Sequence, residues 1–268
     1  MLNILFITQD DPFYIPHFFK EFIRIFNDPE IKIHGVVIQE PLGKKSLTQL
    51  MKQMLDFYGL VDFLKLGSKF AIYKIMNAIA VKVFKGKFPG AFSLEHLLLK
   101  EGWNIIHITD VNSLEFHQLI EPMELDLLVS VAASQKLKQA LLSKPRYGCI
   151  NIHNANLPKN RGMLPNFWSL YHYDTEPISA MTVHKMNEKL DDGPIVLQKE
   201  FELNPQESLD NLIIKTKQLN APVLLEAIQM FKNGEPEYLA NDASQATYNT
   251  FPTKEDVKKF KAKGLRLL

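Results

Sequence analysis

One cysteine, Cys149, in 268 residues leaves no partner for an internal disulfide, and its place in the apolar run YGCI suits a small buried thiol. That usage fits a reducing compartment, and a cytoplasmic setting is expected. Charge of neither sign dominates. Thirty-one Lys and Arg against 30 Asp and Glu leave +1 at pH 7, which provides no broad basic field for gripping a nucleic-acid backbone. A long uncharged hydrophobic run is also missing. The most apolar segment, residues 54–84, is interrupted by Asp56, Asp62, Lys65, Lys69, Lys74 and Lys82, whereas a membrane-spanning helix needs about 20 nearly uncharged residues. The opening stretch MLNILFITQDDPFY has no basic region followed by a small-residue cleavage site, so it reads as a first strand rather than a signal peptide. Zinc-ligand spacing is nowhere found, and no metal is expected.

What is present is an ordinary globular composition, 46% hydrophobic and 23% charged, long enough to bury a full core. Apolar runs of strand length at 3–8 and 31–39 flank a helical stripe at 16–26 that carries Phe18, Phe19, Phe22, Ile23 and Phe26. Strand, helix, strand with continuous apolar strands predicts a parallel sheet covered on both faces. Residues 40–90 break the alternation as a helical insertion, in which Leu47, Leu50, Met51, Met54, Leu55 and Tyr58 share a face and a second helical stretch follows Gly67. Two readings of it stand: a helical subdomain or partner face, and a basic amphipathic surface resting on a membrane. The alternation then resumes with helices at 93–101, 112–121 and 136–143 between strands at 104–109, 125–133 and 148–153. A helix at 164–173, strands at 179–186 and 195–203, a helix at 207–231 with Asn204 and Pro205 in its N-cap region, and a last basic helix follow. The expected fold is α/β: an open Rossmann-like, mostly parallel sheet with helices on both faces. Residues 1–204 would form the main domain and 205–268 a C-terminal helix and extension.

The stretch NIHNANLPKNRG, residues 151–162, ends the strand at 148–153 and breaks at once into a Pro- and Gly-containing turn. Asn151 and His153, two apart, point to one face. Ligands of open α/β sheets bind outside the carboxyl ends of the strands. The turn at 187–194 supplies Asp191 after a strand that contains His184, and Asn, His and Asp on neighbouring strand ends can orient an imidazole and donate to a developing oxyanion.

NIHNANLPKNRG followed by LDDGPIVLQ resembles the 10-formyltetrahydrofolate-dependent formyltransferases, whose motif runs Asn-x-His, Leu-Pro-x-x-Arg-Gly, Leu-Asp-x-Gly. The resemblance covers roughly residues 100–203 well. It implies Asn151, His153 and Asp191 as the catalytic triad and 10-formyltetrahydrofolate as co-substrate. It further implies that Ser134, Gln135 and Leu137, within SVAASQKL, and Lys189, Leu190 and Gly193 wall the folate pocket. His184 matches a family position beside that pocket, or is a packed strand histidine. In the implied chemistry, negative charge grows on the formyl oxygen, stabilised by Asn151 and protonated His153, while Asp191 holds His153 and manages a proton through water. This chain departs from the family in having Asn154-Ala155-Asn156 where Pro-Ser-Leu is common, which is expected to alter the substrate side.

Three branches of that family differ in their amine acceptor. The glycinamide-ribonucleotide branch uses a Gly-rich loop after the first strand, where this chain has ITQDDPFY. The methionyl-tRNA branch shares RGMLPNFW but adds a basic C-terminal domain, against which stand the short extension and near-zero charge here. By elimination the amino-sugar branch is expected, with a nucleotide-linked amino sugar as acceptor, no nucleic acid, no membrane span and a possible homodimer through the insertion. A tRNA-acting enzyme without the extra domain and a non-catalytic folate-binding or assembly module are the alternatives. Asp10, Lys159, Arg161 and Trp168 are the expected substrate-side residues. Lys159 or Arg161 could meet a diphosphate, serve the folate tail or be a solvated loop charge, and Trp168 could be core or a stacking platform.

Overall fold

The computed structural model describes residues 1–39, 46–84 and 93–268; the ends of the expected insertion, 40–45 and 85–92, lie outside them. Five parallel strands run β1 (Leu2–Gln9), β2 (Ile31–Gln39), β3 (Ile105–Ile108), β4 (Leu127–Ser130) and β5 (Cys149–His153). Two further strands extend the sheet, β7 (Ile178–Lys185) antiparallel to β5 and β8 (Ile195–Glu202) antiparallel to β7, and the spatial order is β3-β2-β1-β4-β5-β7-β8. A short β6 (Arg161–Gly162) lies outside this sheet and pairs with β9 (Tyr248–Asn249).

Alternation along the strands splits the core. Ile4 and Phe6 of β1 face helices α1 (Ile15–Ile25), α4 (Leu94–Lys100) and α8 (Leu209–Met230), whereas Leu5 and Ile7 face α5 (Leu114–Ile120) and α6 (Gln139–Leu142). The expected open, mostly parallel sheet with both faces covered is therefore present. Phe6 is the hub of the first layer: its ring centroid lies 5.1 Å from that of Phe22, 5.5 Å from Phe19 and 6.2 Å from Trp103. A third cluster joins α7 (Pro165–Tyr171) to α9 (Lys254–Ala262) through the stacked rings of Phe167 and Phe260, 4.6 Å apart.

Several expected boundaries shift for local reasons. Helix α8 starts at Ser208, whose side chain accepts the Asn211 N–H, and not at Asn204, which instead turns back on the Gln206 N–H. The strand expected to reach residue 133 stops at Ser130, because Ala132 takes a left-handed φ of 54° and starts a loop. In the insertion, α2 (Leu47–Tyr58) ends at Gly59 and α3 (Leu60–Ala78) runs straight through Gly67, where a helix start was expected. The division at 204 is not a break in packing, since Leu224, Ala227 and Ile228 of α8 are buried in the same layer as Phe6.

Phe6→Ala should cost about 3–5 kcal/mol by removing the ring from this fully buried cluster. Urea unfolding followed by far-UV circular dichroism would show it as a lower midpoint with an unchanged slope.

Candidate active site

At the carboxyl ends of the parallel strands, the order of the sheet reverses between β1 and β4, and a cleft of about 690 Å³ opens there. It is lined from β1 by Gln9, from β4 by Ser130, and from β5 by Asn151 and His153, with Asp191 arriving from the β7–β8 turn. Antiparallel pairing sets Asn151 opposite His184 and His153 opposite Thr182, so three of these polar groups gather by sheet register alone.

Their hydrogen bonds define the tautomers. The Asn151 amide oxygen accepts from Ser130 Oγ at 2.9 Å, which turns its Nδ2 toward His184 Nε2 at 3.2 Å. His184 Nδ1 donates to the Lys185 carbonyl at 2.8 Å, so its Nε2 is the acceptor in the neutral ring. His153 Nε2 donates to the Asn160 carbonyl at 2.9 Å. That leaves His153 Nδ1 at 3.7 Å and His184 Nε2 at 3.5 Å from the two oxygens of Asp191. The carboxylate thus stands between two imidazoles that each turn a basic nitrogen toward it, and it also accepts the Gly162 N–H at 2.8 Å. Burial opposes its charge, but attraction to His153 and His184 in their protonated forms, together with that N–H, outweighs burial and holds it well below the usual carboxylate range. Burial pushes His153 below its ordinary value, against the pull of Asp191 and the Asn160 carbonyl.

The expected folate wall is partly assembled. Ser134, Gln135 and Leu137 line the cleft, as do Lys189 and Leu190. Gln39 Oε1 accepts from the backbone N–H of Ser134 at 2.8 Å and of Gln135 at 3.3 Å, and Gln135 bridges to the Thr109 carbonyl. Gly193 does not line it. A Cβ there would sit 2.0 Å from the Lys185 carbonyl, so the glycine serves the close approach of turn and strand.

The expected substrate side changes more. Asp10 points away, pairing with Lys74 of α3 at 3.1 Å; its neighbour Asp11 lines the cleft instead. Lys159 lies on a separate hollow of about 350 Å³ and pairs with Glu176 at 2.7 Å. Arg161 is 2% exposed, bound to Asp192 and, through Nη2, to Asn241 Oδ1 at 2.8 Å, so it ties three segments and reaches no ligand. Trp168 donates from Nε1 to the Thr250 carbonyl and packs on Phe167 and Tyr171, half-buried at the edge of the third cluster.

Sequence reasoning missed Lys217, which is 8% exposed and lines the cleft from α8. Burial lowers its pKa while the charge of Asp11 raises it; burial raises that of Asp11, against the N–H groups of Phe13 and Tyr14 and the charge of Lys217. A lysine in a helical apolar stripe was the one available signal. Asn154 and Asn166 also line the cleft, and their Oδ1 atoms are buried with no partner among the described residues.

A family profile described as formyl transferase matches residues 73–228. The chain belongs to the formyl transferase family. Among curated relatives, the methionyl-tRNA formyltransferase of Thermotoga maritima is 36% identical over 150 residues, 56% of this chain and 46% of that protein. The chain thus spans about half the length of that relative. Solved formyl transferase structures share the fold. Glycinamide ribonucleotide transformylase 1 from Symbiobacterium toebii superposes with a TM-score of 0.58 at 13% identity, covering 90% of this chain and 95% of that one. An N-formyltransferase from Helicobacter canadensis, in complex with folinic acid and dTDP-3-aminofucose, gives 0.55 at 15% identity, covering 93% and 71%. The profile reaches from inside α3 into α8 and includes every residue of the Asn151, His153, His184 and Asp191 cluster.

Two outcomes test this geometry in the unliganded protein. Arg161→Ala should destabilise by roughly 2–4 kcal/mol, because it leaves Asp192 and Asn241 without their buried partner, and the loss is read as a lower urea midpoint. His153 has a folded pKa lowered from 6.5, so the unfolded chain binds the proton more tightly and stability should fall as pH drops below about 6.5. In His153→Asn that part of the pH dependence, measured by unfolding midpoints between pH 5 and 8, should be missing.

Proposed function

We propose that this chain is an N-formyltransferase that moves a formyl group from 10-formyltetrahydrofolate to the amine of a nucleotide-linked amino sugar. The observation that carries the formyl-transfer part is the Asp191 carboxylate held between His153 and His184 at the mouth of the cleft, beside Asn151. The co-substrate supplies an activated formyl carbon. For it, the loop at 132–137 and the turn at Lys189 and Leu190 offer a wall. Asn151 has spent one Nδ2 hydrogen on His184, and its second is available to the oxygen on which negative charge grows. An attacking amine must lose a proton. Asp191 and the two imidazoles form a place for it, since either basic nitrogen becomes an ion pair with the carboxylate once protonated. As the bond between the formyl carbon and the folate nitrogen breaks, the same proton passes on to the departing nitrogen.

On the acceptor side, Lys217 takes the part first assigned to Lys159 and Arg161. A buried ammonium lining the cleft suits a phosphate of a nucleotide, and Asp11 and Tyr14 on the wall across suit hydroxyl and amine groups. The aspartate in the loop after β1 also disfavours phosphate at that loop, which supports an acceptor other than glycinamide ribonucleotide. A second reading, the amine of an aminoacyl-tRNA, is favoured by the 36% identity to a methionyl-tRNA formyltransferase.

An absorbance assay with 10-formyltetrahydrofolate and a panel of nucleotide-linked amino sugars, with charged initiator tRNA as control, separates the readings. Asn151→Ala, His153→Ala and Asp191→Asn should each lower kcat by at least about 10²-fold, while thermal unfolding keeps a single transition. Turnover of tRNA alone would replace the amino sugar as acceptor. Lys217→Met should raise KM for the acceptor by about tenfold and leave KM for the folate unchanged; an unchanged acceptor KM would remove Lys217 from the site.

A further inference from the structure

Helix α3 and the helical turn that follows it, Ile79–Val83, carry a row of large apolar side chains that no described residue covers. Leu60, Leu64, Ile72, Ile75, Ile79 and Val83 are 37% to 68% exposed, and their spacing of three and four, or of eight, puts them on one stripe. The other side of the helix holds it to the body: the ring of Phe70 lies 6.2 Å from Phe13, Tyr73 lies 5.8 Å from Phe13, and Asn77 bonds Ser93. The row therefore faces away from the protein. Contiguous exposed apolar surface of this extent is uncommon on a monomer and marks a contact with something else.

Charge says what that something is. The described stretch 46–84 contains five lysines, no arginine and two acids, a net +3; since the whole chain carries +1, the remainder carries −2. Lys65 and Lys82, both exposed, border the row. A second copy would bring the same positive surface against this one, and like charges would oppose the pairing. An RNA backbone would reward the lysines but leave the apolar row in water. An anionic bilayer surface satisfies both, with apolar side chains among the acyl chains and lysines at the phosphates.

We propose that α3 and its continuation dock this protein on an anionic lipid surface, lying in the plane of the interface as a segment about 36 Å long. No helix among the described residues is long and apolar enough to cross a membrane, which agrees with a helix that lies on one. The attachment bears on the cleft. The loop after β1 holds α3 through Asp10 and Phe13 and lines the cleft through Asp11 and Tyr14, so the docked face and the cleft share a wall.

Flotation of the full chain with phosphatidylcholine vesicles, with and without phosphatidylglycerol, tests this without reference to formyl transfer. Binding should require the anionic lipid, weaken with salt, and fall roughly tenfold in Ile72→Glu/Ile75→Glu and in Lys65→Glu/Lys82→Glu. All four side chains are exposed, and matching thermal unfolding curves would show the variants folded. Any of three results would overturn the proposal. The first is no vesicle binding together with a dimer that Ile72→Glu/Ile75→Glu dissolves in sedimentation equilibrium, which makes the row an interface between copies. The second is tRNA binding without vesicle binding. The third is vesicle binding that neither double variant weakens.

Discussion

The ion pair of buried Arg161 with half-buried Asp192 joins two loops 31 residues apart in the chain, and it holds the turn that carries Asp191 against the end of β5. Arg161 begins the short strand after β5, and Asp192 follows Asp191 in the β7–β8 turn. Asn241 completes the junction by donating to the carbonyls of Asp191 and Gly193 while accepting from Arg161. With the turn fixed in this way, Asp191 can hold a left-handed φ of 51° and present its carboxylate to His153, His184 and the Gly162 N–H together. Strain of that kind persists only where surrounding contacts over-determine the backbone. Ala132 and Leu164, which also take positive φ, line the same cleft.

The C-terminal segment takes part in this junction. Residues 247–250 run alongside 160–163, with the Arg161 N–H donating to the Thr247 carbonyl and the Met163 N–H to that of Asn249. Gly162 is needed there, since a Cβ would stand 2.2 Å from the Asn249 carbonyl. Tyr248 then donates from its hydroxyl to the Leu190 carbonyl, so the turn that carries Asp191 is gripped from both ends. The extension acts as a clasp over the site, which explains why the aromatic run ATYNTFP sits where it does. Helix α8 links clasp and sheet, because it buries one face in the main core and brings Lys217 to the cleft.

Division of labour between charged groups is the other theme. Arg161, a bidentate and permanently charged side chain, is spent inside the protein, where its fork geometry holds loops together. Lys217, whose charge can be modulated by burial, is the cation left facing the cleft from α8. Lys65 and Lys82 form a third group, exposed beside the apolar row of α3 and its continuation. An overall charge near zero conceals this separation.

The sequence by itself determined the sheet, because apolar runs and helical stripes are local patterns that report on which faces are buried. It also determined Asn151 and His153, two apart at a strand end, and the Asp191 turn, since motif order survives without coordinates. What only the tertiary structure decided is where long side chains go. Arg161 and Lys159 in a loop, or Asp10 against Asp11, read alike in one dimension. Which of them meets the cleft depends on Asp192, Glu176 and Lys74, partners 17 to 64 residues away. The role of Gly193 was equally hidden, since a close approach of turn and strand is a distance and not a pattern. Lys217 was invisible for the same reason: a lysine on a helix is normally solvated, and only the packing of α8 against the cleft buried this one.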